Sequence, residues 1–161
     1  MVDIYMGKLY VMCGAPGSGK STWCQNYMPV EATYVSRDDI RFSMLQFNEE
    51  YFSRENEVYA EFIRRINEGL ARGDVYADAT HLNTGSRKKL LRSVDRTNIT
   101  EIIAVAIETS LETCLERNNF RKGFALVPED ALINMHKSYR RPSCNEGFNE
   151  IWVKKEVKVD E

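Results

Sequence analysis

The stretch "GAPGSGKST", Gly14 to Thr22, follows directly on the apolar run "LYVMC", and nothing else in the chain restricts the fold as far. It fits GxxxxGK followed by Ser or Thr, with a strand-like run before it and a helix-like run, "KSTWCQNYM", after it. That context is what the pattern needs for phosphate binding. Glycines let backbone N–H groups converge on phosphate oxygens, and the helix N-terminus adds positive potential. Lys20 reaches the β and γ phosphates, and the Ser21 hydroxyl is the candidate ligand for Mg²⁺. Gly14, Ala15, Pro16, Gly17, Ser18, Gly19, Lys20, Ser21 and Thr22 are therefore the candidate set for ATP or another nucleoside triphosphate.

The rest of the chain agrees with the fold this loop demands. Strand-like runs at 8–13, 32–36, 74–79, 101–108 and 150–159 alternate with helix-like ones, the mark of an α/β protein. Several are near-continuous apolar runs, as in parallel strands covered on both faces. The expected architecture is a P-loop kinase fold, a mostly parallel sheet flanked by helices. "SRENEVYAEFIRRINEGLARG" sets Val58, Phe62, Ile66 and Leu70 at steps of four and stops at Gly73, an amphipathic helix. "VPEDALINMHKSYRR" has Pro128 at a first helical position, acids in the first turn and Leu132, Met135 and Tyr139 as its buried stripe. Between them "RNNFRKGFALV" is basic and broken by Gly123, and reads as a lid over about 117–127.

At 161 residues the chain is the size of one domain, and residues 1–161 are expected to form a single unit. No run approaches the roughly 20 apolar residues of a membrane span, and the expected location is cytoplasmic. Cys13, Cys24, Cys114 and Cys144 lie too far apart for zinc spacing and are expected to be reduced and mostly buried. A formal net charge of −2 excludes nucleic-acid coating by bulk charge, so any nucleic-acid contact is local.

A phosphate loop does not separate a kinase from a switch, and acceptor groups are sought at the carboxyl ends of the strands. After the second strand comes "SRDDIR". Asp38 there suits a general base, with Arg41 one turn on for an anionic part of the acceptor. Equally, Asp38 suits a cap on a helix starting near Asp39, paired with Arg41. After the third strand comes "DATHLN", with Asp78 at the strand end near the expected Mg²⁺ or acceptor, and His81 as a turn or hydrogen-bonding residue. Arg117 and Arg121 are four apart, which on one helix face would repel unless an anion lies beside them. A triphosphate supplies that anion. The runs "RKKLLR" and "KSYRR" read as solvated helix faces, some of them suited to line a groove for a nucleic-acid backbone.

Taken together, "GAPGSGKSTW", "SRDDIR", "DATHLN" and "ERNNFRKGFALVPEDALINMHKSYR" span most of the chain and resemble the 5′-kinase domain of phage-type polynucleotide kinase. The resemblance implies transfer of the γ-phosphate of ATP to the 5′-hydroxyl end of single- or double-stranded DNA or RNA. It implies Asp38 as general base, Arg41 on the phosphate 3′ to the first nucleoside, Asp78 supporting the acceptor site, and Lys20 and Ser21 on the triphosphate and Mg²⁺. Arg117 and Arg121 clamp the donor phosphates, with Arg121 also catalytic. No Asp-rich phosphatase motif is present, so kinase activity alone is expected. The segment 42–54 carries no assignable role. Two other readings compete: a P-loop kinase of a small molecule such as a nucleoside, sugar or amino-sugar nucleotide, and a non-catalytic nucleotide switch.

Overall fold

The computed structural model describes residues 6–155. Five strands, β1 (Gly7–Cys13), β2 (Thr33–Ser36), β3 (Val75–Asp78), β4 (Ile99–Glu108) and β5 (Glu150–Lys155), form one sheet in the order β2-β3-β1-β4-β5. Every pairing is parallel. The expected strands are all present; the last was expected to run to 159, and its end lies outside the described residues.

Among the described residues six α-helices connect the strands: α1 (Lys20–Tyr27), α2 (Arg37–Met44), α3 (Glu55–Leu70), α4 (Thr84–Ser93), α5 (Leu111–Asn119) and α6 (Glu129–Ser138). Alternation along β1 sends Leu9, Val11 and Cys13 into one core layer and Tyr10 and Met12 into the other. The first layer takes Val58, Phe62, Ile66 and Leu70 of α3, all fully buried. The spacing of four that foretold this helix is thus its contact face, and each such side chain contributes about 1.5–3 kcal/mol on burial. The second layer is aromatic, with Trp23 on α1 and Tyr10 stacked on Tyr76 at 4.2 Å. Cys13, Cys24 and Cys114 are buried and Cys144 is exposed. No described helix is long and apolar enough to cross a membrane.

Two helices differ in detail from expectation. Pro128 sits one residue before α6, as its cap, while Glu129 and Asp130 fill the first turn; Leu132 is fully buried and Met135 and Tyr139 are half-buried. The run "RKKLLR" is not wholly a solvated face. Lys88, Lys89 and Arg92 are exposed, but Arg87 is fully buried, bound by Glu146 from 59 residues away at 2.7 and 3.3 Å.

Candidate active site

The phosphate loop, Asp38, Arg41, Asp78, Arg117 and Arg121 meet at the carboxyl edge of the sheet, around one cavity of about 570 Å³. The phosphate loop forms its floor. Gly14 is required there because a Cβ would lie 2.6 Å from the Ile107 carbonyl, and Gly17 has φ +81 with the Cys114 carbonyl 3.0 Å from where a Cβ would be. The loop is therefore wedged between the end of β4 and α5, and Thr109 Oγ1 donates to the Ser18 carbonyl at 2.8 Å. Gly14 N–H donates to the Thr80 carbonyl at 2.9 Å, joining the loop to the segment after β3. Gly14 through Lys20 are buried, whereas Ser21 is exposed and Thr22 half-buried at the start of α1.

Lys20 Nζ donates to the Gly14 and Ala15 carbonyls at 2.9 and 3.0 Å, so its ammonium is held over the concave face of the loop. Burial lowers its pKa, and the Asp78 and Asp38 carboxylates oppose that shift. Asp78 is buried at the end of β3, and the Tyr34 hydroxyl donates to its Oδ2 at 2.5 Å. Burial pushes the Asp78 carboxyl up, while Lys20 and Tyr34 pull it down. Ser21 and Asp78 give two oxygen donors beside the loop, a set that suits Mg²⁺, which takes few protein oxygens and completes its shell with phosphate and water. His81 makes no part of this wall. It is buried at φ +40, its Nδ1 lies 2.6 Å from the Met12 carbonyl, and burial brings its pKa down to about 4.

Ser36, not Asp38, caps α2, accepting from the Asp39 N–H at 3.2 Å. Asp38 stands in the first turn, its side chain 50% exposed, and does pair with Arg41. Arg41 is buried beneath it, clamped by Glu55 through Nε at 2.7 Å and Nη2 at 3.0 Å. Burial works most strongly against the Arg41 charge, but the Glu55 hydrogen bonds together with the charges of Tyr51, Asp38 and Glu55 outweigh it and its pKa rises. Arg41 Nη1 and the Tyr51 hydroxyl both approach Asp38 Oδ1, the latter at 3.3 Å. Both of these contacts fall on Oδ1, and Oδ2 takes neither.

The segment 42–54, unassigned in the sequence, supplies an aromatic wall. Tyr51 packs against Phe52 at 4.6 Å and Phe42 at 6.2 Å, the Arg41 guanidinium lies 4.7 Å from the Tyr51 ring centre, and all three rings line the cavity. An aromatic cluster within eleven residues after Arg41, itself in the helix that follows a strand end, is the signal that would have found it.

Arg117 and Arg121 both line the cavity but do not share a helix face. Helix α5 ends at Asn119 because Asn118 turns its side chain onto Val127, donating to its carbonyl at 2.8 Å and accepting from its N–H at 3.0 Å. That clasp closes the base of the segment expected as a lid and carries Arg121 around the turn. Arg117, in the last turn, donates to the Gly17 carbonyl at 3.0 Å.

A phosphate loop between β1 and α1 of a parallel sheet, with a basic segment across the cavity from an Asp–Arg helix, defines a P-loop kinase fold. The chain belongs to the AAA domain family, whose pattern it matches over residues 9–142. Solved structures share the fold at low identity. A chain of the Pnkp1/Rnl/Hen1 RNA repair complex superposes with TM-score 0.63 at 19% identity, over 83% of this chain and 44% of that one. Kti12 of Chaetomium thermophilum, in complex with ADP-AlF3, gives 0.65 at 15% over 91% and 88%. A gluconokinase from Sinorhizobium meliloti gives 0.58 at 17% over 96% and 86%. This chain thus spans less than half the length of the RNA repair chain.

Proposed function

We propose that the chain is an ATP-dependent kinase of the phage polynucleotide kinase type, phosphorylating the 5′-hydroxyl end of DNA or RNA. The observation that carries the reading is the pairing of a half-exposed Asp38 with a buried, carboxylate-clamped Arg41 across the cavity from Lys20. A nucleotide switch has no use for a base held in this way.

In this reading Asp38 Oδ2 takes the proton of the attacking 5′-hydroxyl as its oxygen bonds to the γ-phosphorus and the bond to the β-phosphate oxygen breaks. Arg41 first orients Asp38, and meets the acceptor phosphate with the N–H groups its two carboxylates leave open. Phosphate-loop N–H groups and Lys20 hold the triphosphate, and Arg117 and Arg121 face the charge that spreads over the transferring group. Mg²⁺, when bound, neutralises phosphate charge, and Ser21 with Asp78 would hold it. Phe42 and Phe52 present flat apolar surface of the kind on which a nucleobase stacks, worth about 1–3 kcal/mol per base. A small-molecule kinase remains the second reading, favoured by a cavity volume within the usual range for small ligands.

The test is transfer from γ-labelled ATP with Mg²⁺ to a 5′-hydroxyl oligonucleotide, the same oligonucleotide already 5′-phosphorylated, free nucleosides and gluconate. Label on the 5′-hydroxyl oligonucleotide alone is expected, abolished in Lys20→Ala and reduced about 100- to 10,000-fold in kcat in Asp38→Asn, the range for a lost general base. Label on nucleosides or gluconate alone would transfer the assignment to the second reading.

A further inference from the structure

Arg37 precedes Asp38 and lines the cavity, yet its surroundings lead out of it. Its Nη2 donates to Glu55 at 2.9 Å, while its Nε is the one buried side-chain polar atom among the described residues without a hydrogen-bond partner. Its guanidinium lies 5.2 Å from the centre of the Tyr59 ring on α3. The same ring takes Lys89 Nζ of α4 at 4.3 Å, and Tyr59 Oη donates to Ser93 Oγ at 3.3 Å. Lys89 belongs with Lys88 and Arg92 to the exposed part of α4, where spacings of three and four put them on one face. None of these three pairs with a carboxylate among the described residues.

We infer that Arg37, Tyr59 and the Lys88–Lys89–Arg92 face of α4 form a track for the single strand that trails from the acceptor end bound in the cavity. The inference rests on the polynucleotide reading and adds where the chain beyond the first nucleotide runs. A row of cations on an otherwise slightly acidic protein, joined through the half-exposed Tyr59 ring that Arg37 and Lys89 both overlie and continuous with the cavity, is the makeup of a single-strand groove whose charges follow the phosphates. Salt bridges elsewhere on the surface, such as Arg64 with Glu61 and Glu68, are of the ordinary neutralised kind.

The experiment compares the intact protein with Lys88→Gln/Lys89→Gln/Arg92→Gln, and with Lys88→Arg/Lys89→Arg as the charge-keeping control. Acceptors are a 5′-hydroxyl dinucleotide and a single-stranded dodecamer, and binding of a fluorescein-labelled dodecamer is measured by anisotropy across a salt series. The neutralised variant should raise KM and Kd for the dodecamer on the order of tenfold at low salt, leave KM for the dinucleotide in place, and flatten the log–log salt dependence by about two, at about 0.7 per lost single-strand phosphate contact. The arginine control should behave as the parent. Equal effects on both acceptors, no effect on either, or displacement of the dodecamer by poly-glutamate as readily as by unlabelled DNA would overturn the track. The two proposals fail separately. A parent protein that phosphorylates the dodecamer while the variant changes nothing keeps the kinase reading and loses the track. A parent that binds the dodecamer through α4 but phosphorylates only small hydroxyl compounds does the reverse.

Discussion

Arg87→Met should be among the most destabilising single changes in the chain that leave the cavity lining intact. Arg87 is fully buried and Glu146 nearly so, with side-chain exposures of 0% and 6%. The guanidinium holds both Glu146 oxygens and, through Nη1, the His81 carbonyl at 2.9 Å. It thereby ties α4 to the short turn before β5 and to the segment after β3. Removing Arg87 leaves a buried carboxylate whose remaining donors are the Ser143 N–H at 2.6 Å and the Ser143 hydroxyl at 3.4 Å, and breaking such a pair costs about 3–5 kcal/mol. For a chain of this size that is a fall in Tm of roughly 6–20 °C, at about 2–4 °C per kcal/mol. Arg87→Met/Glu146→Leu should recover most of the loss, because replacing a buried pair by apolar side chains is often neutral; a deficit of about 1–3 kcal/mol should persist for the His81 carbonyl left without its donor. Urea unfolding followed by tryptophan fluorescence measures all three chains. In Arg87→Met the burial of Glu146 is opposed only by the Ser143 donors, so its pKa rises from the lowered value it has beside Arg87, and the deficit should shrink as pH falls and the carboxyl takes up its proton. A loss under about 1 kcal/mol, or a double variant as unstable as the single, would refute the view that the cost lies in an uncompensated buried charge.

Other changes isolate other groups. His81, with a pKa near 6.5 when unfolded and about 4 when folded, contributes stability that is complete above pH 6.5 and lost as pH falls through 4. That amounts to about 3 kcal/mol at 1.36 kcal/mol per unit. Asn tolerates the positive φ and can donate to the Met12 carbonyl, so His81→Asn should flatten the stability profile between pH 6.5 and 4; a profile that superposes on the parent's counts against the burial argument. Tyr34→Phe removes a donor from the buried Asp78 carboxylate and should cost about 1.5–3 kcal/mol near neutral pH. The raised Asp78 pKa gives the sign: the penalty belongs to the ionised form and should fade as pH is lowered, so a penalty that does not fall with pH by urea unfolding would contradict it. Phe62→Ala, at the fully buried centre of α3, should lose about 3–5 kcal/mol by the same assay, and a loss under about 1 kcal/mol would mean that α3 is not anchored there.

The parts of this fold legible in the sequence are those whose cause is local. Strands β1, β3 and β4 read as continuous apolar runs because helices cover both faces, and α3 reads from its spacing of four. The phosphate loop is readable because its glycines answer to backbone contacts that hold wherever the motif folds. What escaped depends on distant partners. Arg87 has the same neighbours in sequence as the exposed Lys88, and only Glu146, brought back by the chain before β5, makes burial tolerable. Tyr34 reaches Asp78 because β2 and β3 are in register at Ser36 and Asp78, which puts the ring diagonally beside the carboxylate on one sheet face. Arg117 and Arg121 kept their shared cavity but not their shared helix, since Asn118 found a better partner in Val127 than in another turn of α5.

The charges around the cavity are not evenly divided, and the division favours transfer from a polyanion to a neutral group. On the phosphate-loop side stand three cations, Lys20, Arg117 and Arg121, against one carboxylate, Asp78. On the α2 side stand two, Arg37 and Arg41, against three carboxylates, Asp38, Asp39 and Glu55. A triphosphate is drawn to the first side, where its charge is matched and water is excluded by the buried loop. The second side, slightly negative, is a poor seat for a second polyanion but a good one for a hydroxyl, whose proton the carboxylates attract as its oxygen turns nucleophilic. In the proposed reading Arg41 meets the first acceptor phosphate, and phosphates further along the strand find their cations beyond the carboxylate cluster, among them Lys88, Lys89 and Arg92 of α4. On that reading the distribution that suits Asp38 to take a proton is also a reason for the rest of the acceptor strand to be held outside the cavity, and neutralising α4 while leaving the cavity intact separates the two effects.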